Sequence, residues 1–528
     1  MEMTNNFNNI PAEKFRFSRR SDLEHDSKFD TKPISYFEGA LRRFCKNKGA
    51  VVAAVVISIL VLFAIIAPFC TPYEPAYYDQ SFAYVTPKNS LFADNGIDFW
   101  DGCKEKNSNY LGYIKDYALG LEIGHDVIKN GEYEITEDGT YVYRYDTYRG
   151  VGFGKYKIIS LAEYEDIQRY QDATGIQVIY PTVAKADRPK TTQDQNNANY
   201  YYKTEKVGNK TRPVMDENGD PIPVYWTYEA GNPSGLMAEY NSNRIEGENG
   251  FIGEDGKQYY YAYGRLVDGG VEIRAEYYEY YTYIHTQVKK DGISEPSFLF
   301  GTPGTGKVIF ACLAYGARFS FVFAIIVAVV NFVVGVIYGS IAGYFGGKVD
   351  LFMERFSEIL GSVPTMIVIT LLKYHMGSSS HILVLFITFF LTGWIGMAGT
   401  TRMQFYRFKN QEYVLAARTL GASDRRIMFK HIFPNGLGTI VTSVALVIPS
   451  MIYSETNLSY LGIINLEAGN TTSVGTLISA GQSAIIIPGA AYVAFFPCMF
   501  LVLLMLSFNL FGNGLRDAFN PSLRGSED

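Results

Sequence analysis

The sequence predicts an α-helical polytopic membrane protein with six transmembrane helices and a β-rich or α+β domain inserted between the first two. Three observations carry that expectation. Long stretches without a single charge recur along the chain, basic residues gather in two segments, and acidic residues and tyrosines concentrate in one block.

The uncharged stretches come first. Gly49 to Tyr73 holds 25 residues, Phe319 to Gly347 holds 29, Ile382 to Thr401 and Asn435 to Ser454 hold 20 each, and Ala468 to Leu515 holds 48. A helix crossing the hydrocarbon layer needs ~20 mostly apolar residues, so each stretch accommodates one span. Met353 to Leu372 supplies a sixth, although it opens on "MERFSEILGSVPTM" and contains Pro364. Glu354, Arg355 and Glu358 then belong at its cytoplasmic end or against other helices, because charges facing lipid are costly.

Lys and Arg set the orientation. The first 48 residues carry ten, Arg402 to Lys430 carries seven, Lys373 to His381 carries one, and Glu455 to Ile487 carries none. Positive residues stay inside. Segment 1–48, the 402–435 segment and the tail 516–528 are therefore expected in the cytoplasm, with an uncleaved first span over 49–70 and a permeation core over 307–515. The predicted location is a prokaryotic cytoplasmic membrane.

Residues 71–306 then lie outside. This 236-residue insertion holds 36 acidic and 23 basic residues, a net charge of −13, and 31 of the 41 tyrosines. "GEYEITEDGTYVYRYDTY" and "EYYEYYTYIHTQV" combine aromatic and β-branched residues between Asp-Gly and Asn-Gly turns, which predicts strands and hairpins. "DENGDPIP" from Asp216 resembles the start of a calcium loop, but Pro221 replaces the turn glycine and no closing Glu follows at the required place. It reads as an ordinary turn, and no metal site is expected. Five cysteines make no disulfide framework. Cys70 and Cys103 both lie outside, and their pairing stays open.

The stretch "FGTPGTGKVIF" from Phe300 raises a nucleotide question. Gly301, Gly306 and Lys307 fit the core of a phosphate-binding loop. A working loop of that kind carries Ser or Thr after its lysine to hold magnesium, whereas Val308 stands here. Lys307 also falls outside the cell, where ATP is no fuel. The match is accidental.

The cytoplasmic stretch "NQEYVLAARTLGASDRRIMFKHIFPN" is more informative. Asn410 is placed to cap a helix, and Glu412 near its start suits the positive end of the helix dipole. Tyr413, Ala416, Ala417 and Leu420 share one face at helical spacing. Gly421 provides a left-handed stop. Ser423 caps a second short helix bearing Ile427, Met428 and Ile432, which Pro434 ends. Two helices about a glycine also describe a DNA-binding motif, but these are tethered close to a span on each side, so no nucleic acid is expected. The pair reads as a docking element.

At these residues the chain resembles a known family. Glu412, Ala416, Ala417, Gly421, Ile432 and Pro434 match the EAA loop of ABC importer permeases, and the fuller string resembles the oligopeptide/dipeptide type. "ETNLSYLGI" from Glu455 and "FNLFGNGLRDAFNPSL" from Phe508 resemble further elements, the latter with Asn513 where Asp is usual. "GTPGTGKVIFACLAYGARFS" resembles the motif before the second span. It keeps Gly301, Thr302, Gly306, a basic Lys307, Tyr315, Gly316, Ala317, Arg318 and Ser320, while Pro303 and Val308 replace two aspartates. The resemblance covers about 40–75 and 300–524, and the insertion has no counterpart in it.

What the resemblance implies is a permease subunit with no catalytic residue and no cofactor of its own. A second permease, two ATPase subunits that bind ATP and magnesium, and an extracellular substrate-binding protein would complete the importer. Oligopeptides or dipeptides are the expected cargo, with nickel or another small solute as the alternative. A receptor or anchor built on the tyrosine-rich insertion is a third reading, and six spans argue against it.

Overall fold

The computed structural model describes residues 36–519 apart from 94, 96–97, 99, 152–155, 186–201, 233, 239–249, 377–380, 465 and 467–470. Most of the 1–48 segment and the last nine residues of the tail therefore lie outside the described residues. Among the described residues, five helices are long and apolar enough to cross a membrane: Lys48–Cys70 (span one), Ile309–Phe345 (span two), His381–Phe408 (span four), Asp424–Tyr460 (span five) and Tyr492–Phe519 (span six). Span three is a bent pair, Gly347–Gly361 and Thr365–Met376, turned by 67°. Pro364 sits at the bend, where its ring and missing amide deny the carbonyl four residues back a partner. The 48-residue uncharged run holds span six and a separate helix, Val474–Ala484, started by a capping box between Ser473 and Thr476.

Apolar surface alone gives little reason for helices to associate in lipid, so close packing decides. Span two carries Gly335, Gly339 and Gly343 at four-residue spacing, on one face. A Cβ at Gly339 would stand 2.2 Å from the Ala398 carbonyl oxygen, and one at Gly343 would stand 2.7 Å from that of Arg402. Span four thus lies directly against the span-two backbone along half the membrane. Below, Gly514 of span six packs on Ala50 of span one, and Arg43 Nε donates to the Ala518 carbonyl at 3.0 Å.

The insertion is α+β. An antiparallel sheet of Cys103–Ser108, Tyr141–Asp146 and Ile128–Ile135, in that spatial order, contains the expected hairpin, turned at Gly139 (φ 81°). A five-stranded sheet is built on Gly270–Ala275, flanked by Tyr156–Ile159 and Gly264–Val267. Asp216–Asp220 is a turn with Gly219 in the left-handed region, and the Asp216 carboxylate accepts backbone amides of its own loop. The second tyrosine run departs from expectation. "EYYEYYTYIHTQV" forms no strand: Tyr277–Tyr283 is an α-helix continued by a wider π turn through Lys289. Its tyrosines 277, 278, 280, 281 and 283 are all buried, enclosed on more than one side by sheet and loop. Strand propensity reflects fit to a half-buried pleated surface, and a site buried all round removes that preference.

Phe82, Tyr148, Tyr281 and Phe298 form the centre of the insertion, and the same cluster runs into Val308 and Ala311 at the head of span two. Trp100, Phe300 and Phe496 stack in series, with Phe300 and Phe496 4.1 Å apart and nearly parallel. The insertion is therefore joined to spans two and six by continuous aromatic core. Cys70 and Cys103 are free thiols, and burial pushes the Cys103 thiol up to about 12.

The glycine ridge yields a direct test. Gly339→Val should destabilise the purified protein by about 1–3 kcal/mol through overpacking, lowering its thermal unfolding midpoint in detergent. Gly396→Val, where nothing lies within 4 Å of an added Cβ, should leave the midpoint nearly unmoved. Equal effects of the two would refute the ridge as the packing determinant.

Candidate functional site: the cytoplasmic loop and its supports

The loop between spans four and five begins with a correction. Asn410 does not cap the first short helix. The Gln411 amide donates to the Phe408 carbonyl at 3.2 Å, closing a turn that uses residue 410, and Gln411 becomes the N-cap of Glu412–Thr419. Glu412 is then the first helical residue. At the other end, the Ala422 amide reaches the Ala417 carbonyl (3.1 Å) and the Gly421 amide the Arg418 carbonyl (3.0 Å). With Gly421 at φ 78°, this is the paired-bond stop that a left-handed residue makes possible.

The helix is held by one buried side chain, Val414, which enters a cluster with Tyr344, Phe405, Ile427, Met428 and Ile432. That cluster joins the ends of spans two, four and five. Glu412, Tyr413, Leu415, Ala416 and Leu420 are exposed, Leu420 by 87%. Most of the face expected from the spacing of Tyr413, Ala416, Ala417 and Leu420 thus points outward, with Ala417 half-buried. Tyr344 donates its hydroxyl proton to Asp424 (2.5 Å), at the start of the second helix.

Pro434 does not end that second helix. Asp424–Arg426 passes through a π turn at Ile427–Ile432 into Phe433–Tyr460 without interruption. The i→i+5 pattern makes room for the proline, which lies in the first turn of the following segment, where its missing amide is tolerated. Span five and the second short helix of this loop are consequently one continuous helical segment.

The stretch before span two is a clip. The amides of Gly301, Thr302 and Gly306 donate to the carbonyls of Phe298, Val85 and Pro303, at 2.8, 3.1 and 2.9 Å. These three are therefore not free to cradle a phosphate. Both glycines have φ 72° and press against backbone, Gly301 on Val85 and Gly306 on Asp79, while Lys307 pairs with Tyr78 as an antiparallel bridge. Thr302 fastens the clip twice more: its hydroxyl donates to the Phe82 carbonyl, and its own carbonyl accepts from Tyr492 at 3.1 Å.

Farther along, Tyr315 donates to the Pro68 carbonyl, Arg318 lies over the Phe69 ring, and Gly316 lets the Ser473–Val474 backbone approach. Ser320 donates to Glu455 Oε2 at 2.8 Å, and Ser459 donates to Oε1 at 3.0 Å. Glu455 is fully buried. The motif before span two and the "ETNLSYLG" element thus meet at one carboxyl group.

A second polar node was not evident from the sequence. Arg402 of span four grips Asp350 with both ends of its guanidinium (2.6 and 2.7 Å) and reaches Glu354 at 2.9 and 3.0 Å. Tyr406 adds a 2.5 Å hydrogen bond to Asp350. The charged opening of span three was signal enough to expect partners, but the partner itself lay some fifty residues away.

Comparison with known proteins gives the class, a transport permease. Residues 335–525 match the family described as binding-protein-dependent transport system inner membrane component, and residues 35–87 match the N-terminal TM domain of oligopeptide transport permease C. Neither match covers 88–334. The chain is 39% identical over 228 residues to the oligopeptide transport system permease protein OppC of Bacillus subtilis, covering 43% of this chain and 72% of that one. It is 40% identical over 225 residues to the dipeptide transport system permease protein DppC of the same organism, covering 43% and 69%. Against OppC of Escherichia coli it is 40% identical over 230 residues, covering 44% and 74%. Among solved structures, an inward-facing MetNI methionine ABC transporter gives a loose match, with TM-score 0.32 at 17% identity over 40% of this chain and 96% of that one. The chain belongs to the oligopeptide/dipeptide permease family of ABC importers.

Because the clip spends its amides internally, Lys307→Ala should leave ATP hydrolysis by the assembled complex within about twofold of wild type, whereas loss of a phosphate-loop lysine would abolish it. Near-complete loss of hydrolysis with normal assembly would show that the clip serves nucleotide after all.

Proposed function

We propose that this chain is the translocating subunit of an importer for oligopeptides or dipeptides, working with a second permease, two ATPase subunits and an extracellular substrate-binding protein. The observation that carries the reading is the Glu412–Thr419 helix: one buried anchor, an exposed apolar and small-residue face, and a covalently continuous link into span five. Such a helix has the form of one that lies in a groove of a partner. Closure of the ATPase pair would push it, and the rod of span five would transmit the push as a rigid-body movement. Glu412, Ala416, Ala417, Gly421, Ile432 and Pro434 are the coupling residues. ATP and magnesium belong to the ATPase subunits. The relatives' names, which specify oligopeptide and dipeptide transport, support peptide cargo.

In the proposed topology both termini and the docking loop are cytoplasmic and 71–306 are external, which the distribution of Lys and Arg supports. Protease added to intact cells should cut within 71–306. Cleavage only from the cytoplasmic side would reverse the orientation.

Gly421 gives the sharper test. A β-branched side chain at φ 78° costs of order 1–2 kcal/mol locally and redirects the helix that follows. Gly421→Val should reach the membrane at near-normal level while cargo uptake falls and the ATPase subunits dissociate more readily on purification. Wild-type uptake with stable ATPase association would reduce this loop to a connector.

A further inference from the structure

Span three is poorly covered by the rest of the chain. Its two halves bury one residue each, Asp350 and Ile369. Its surface nonetheless carries Ser357, Glu358, Ser362 and Arg355, and the Arg355 and Glu358 side chains are 68% and 52% exposed. Glu354 and Glu358 stand seven and eleven residues beyond Gly347, about 10 and 16 Å along the helix. Charges on a helix that enters a bilayer face protein or water, not lipid. The break at residues 362–364 points the same way. Pro364 brings no amide to the Leu360 carbonyl, and irregular backbone at membrane depth is tolerated where it lines protein or a water-filled cavity.

That space is present. A cleft of about 420 Å³ opens between spans two, three and four, walled by Tyr338, Glu354, Ser357, Glu358, Ser362 and Arg402 among others. The volume lies within the range of small-ligand sites. Arg402 is committed to Asp350 and Glu354, so it offers little to an incoming anion. Among the described residues Glu358 is paired only with Arg355, one turn away at 2.6 Å, and both side chains are solvent-exposed. Exposed pairs of this kind contribute little and exchange readily. Within the lining itself two carboxylates, Glu354 and Glu358, face one guanidinium, that of Arg402, so the surplus is negative.

We infer that this cleft is a transit site for the positively charged side chains of cargo, the ammonium of a lysine above all. Glu358 is the group that takes the ammonium, and the Ser357 and Ser362 hydroxyls supply further acceptors. Arg402 and Asp350 act on cargo only by holding Glu354 in place. The inference rests on the peptide-importer reading and adds to it the chemistry for which this wall selects.

The test uses the whole importer in proteoliposomes with saturating binding protein, so that capture outside does not limit the rate. Two tripeptides are compared, Ala-Lys-Ala and Ala-Ala-Ala. Glu358→Gln should slow maximal uptake of the lysine peptide about fivefold more than that of the alanine peptide, and Glu358→Asp should restore most of the difference. Equal slowing of both peptides would mean that Glu358 merely supports the wall, and unchanged uptake of both would remove it from the path; either result overturns the inference. Failure of the wild-type complex to accumulate either peptide would overturn the cargo reading itself and the site with it.

Discussion

The backbone contact between spans two and four is the constraint on which the rest depends. Three glycines on one face of span two let span four approach until carbonyl oxygens stand where side chains would otherwise be. Lipid tails are as apolar as leucine, so this close fit, and not hydrophobic burial, fixes the pair. Arg402 hangs from span four and grips Asp350 and Glu354, which hold span three. Phe405, also on span four, roofs the cluster that seats Val414. Widening the two–four contact by a single methyl group would therefore disturb the ion cluster and the docking loop together.

The insertion shows how a 236-residue addition can sit on such a core without severing it. Its chain leaves span one and returns to span two through the clip at Gly301–Lys307, where two left-handed glycines press on the outgoing strand near Asp79 and Val85. Outgoing and returning chains are thus bound to each other just above the membrane, so the gap between spans one and two is closed locally whatever lies beyond. The aromatic stack through Trp100, Phe300 and Phe496 extends the seal to span six. The same residues that imitate a phosphate loop in sequence perform this closure. Glycines serve both tasks because both need backbone to approach closely.

Much of this was legible in the sequence, for identifiable reasons. Runs of uncharged residues near twenty reveal spans because the bilayer fixes their length, and Gly421 announced a stop because few residues accept its conformation. The hairpin around Gly139 was readable from its turn. Where the reading failed, distant contacts decided. The tyrosines from 277 to 283 form a helix because they are enclosed on several sides, a fact held by residues 73–82 and 298 and not by their own alternation. Pro434 was read as a terminator because the π turn that accommodates it depends on the packing of Ile427, Met428 and Ile432. The Gly335–Gly339–Gly343 spacing was visible in the sequence, and only its partner was hidden.

The continuity of span five connects these features into a lever. At one end stands the docking loop, joined without a break through Ile427–Ile432. Near the other stands Glu455, buried and held by Ser320 of span two and by Ser459 of its own helix. From Asp424 to Glu455 a helix of this length, with its π turn and Pro449 inside it, would span about 46 Å, the full thickness of a bilayer with its headgroups. Pro449 lies inside this helix and leaves one carbonyl without an amide partner, and elsewhere a sharp bend would lose hydrogen bonds that lipid does not replace. At that far end, Gly475 packs its backbone on the Thr456 carbonyl, and Ser473 begins the Val474–Ala484 helix. Movement of span five must therefore carry that helix with it or break its contact with Gly475. Packed contacts of this kind switch between discrete arrangements instead of deforming by degrees. The loop and the Val474–Ala484 helix are thus contacted by opposite ends of one helix, while span three, bent at Pro364, buries one residue in each of its halves.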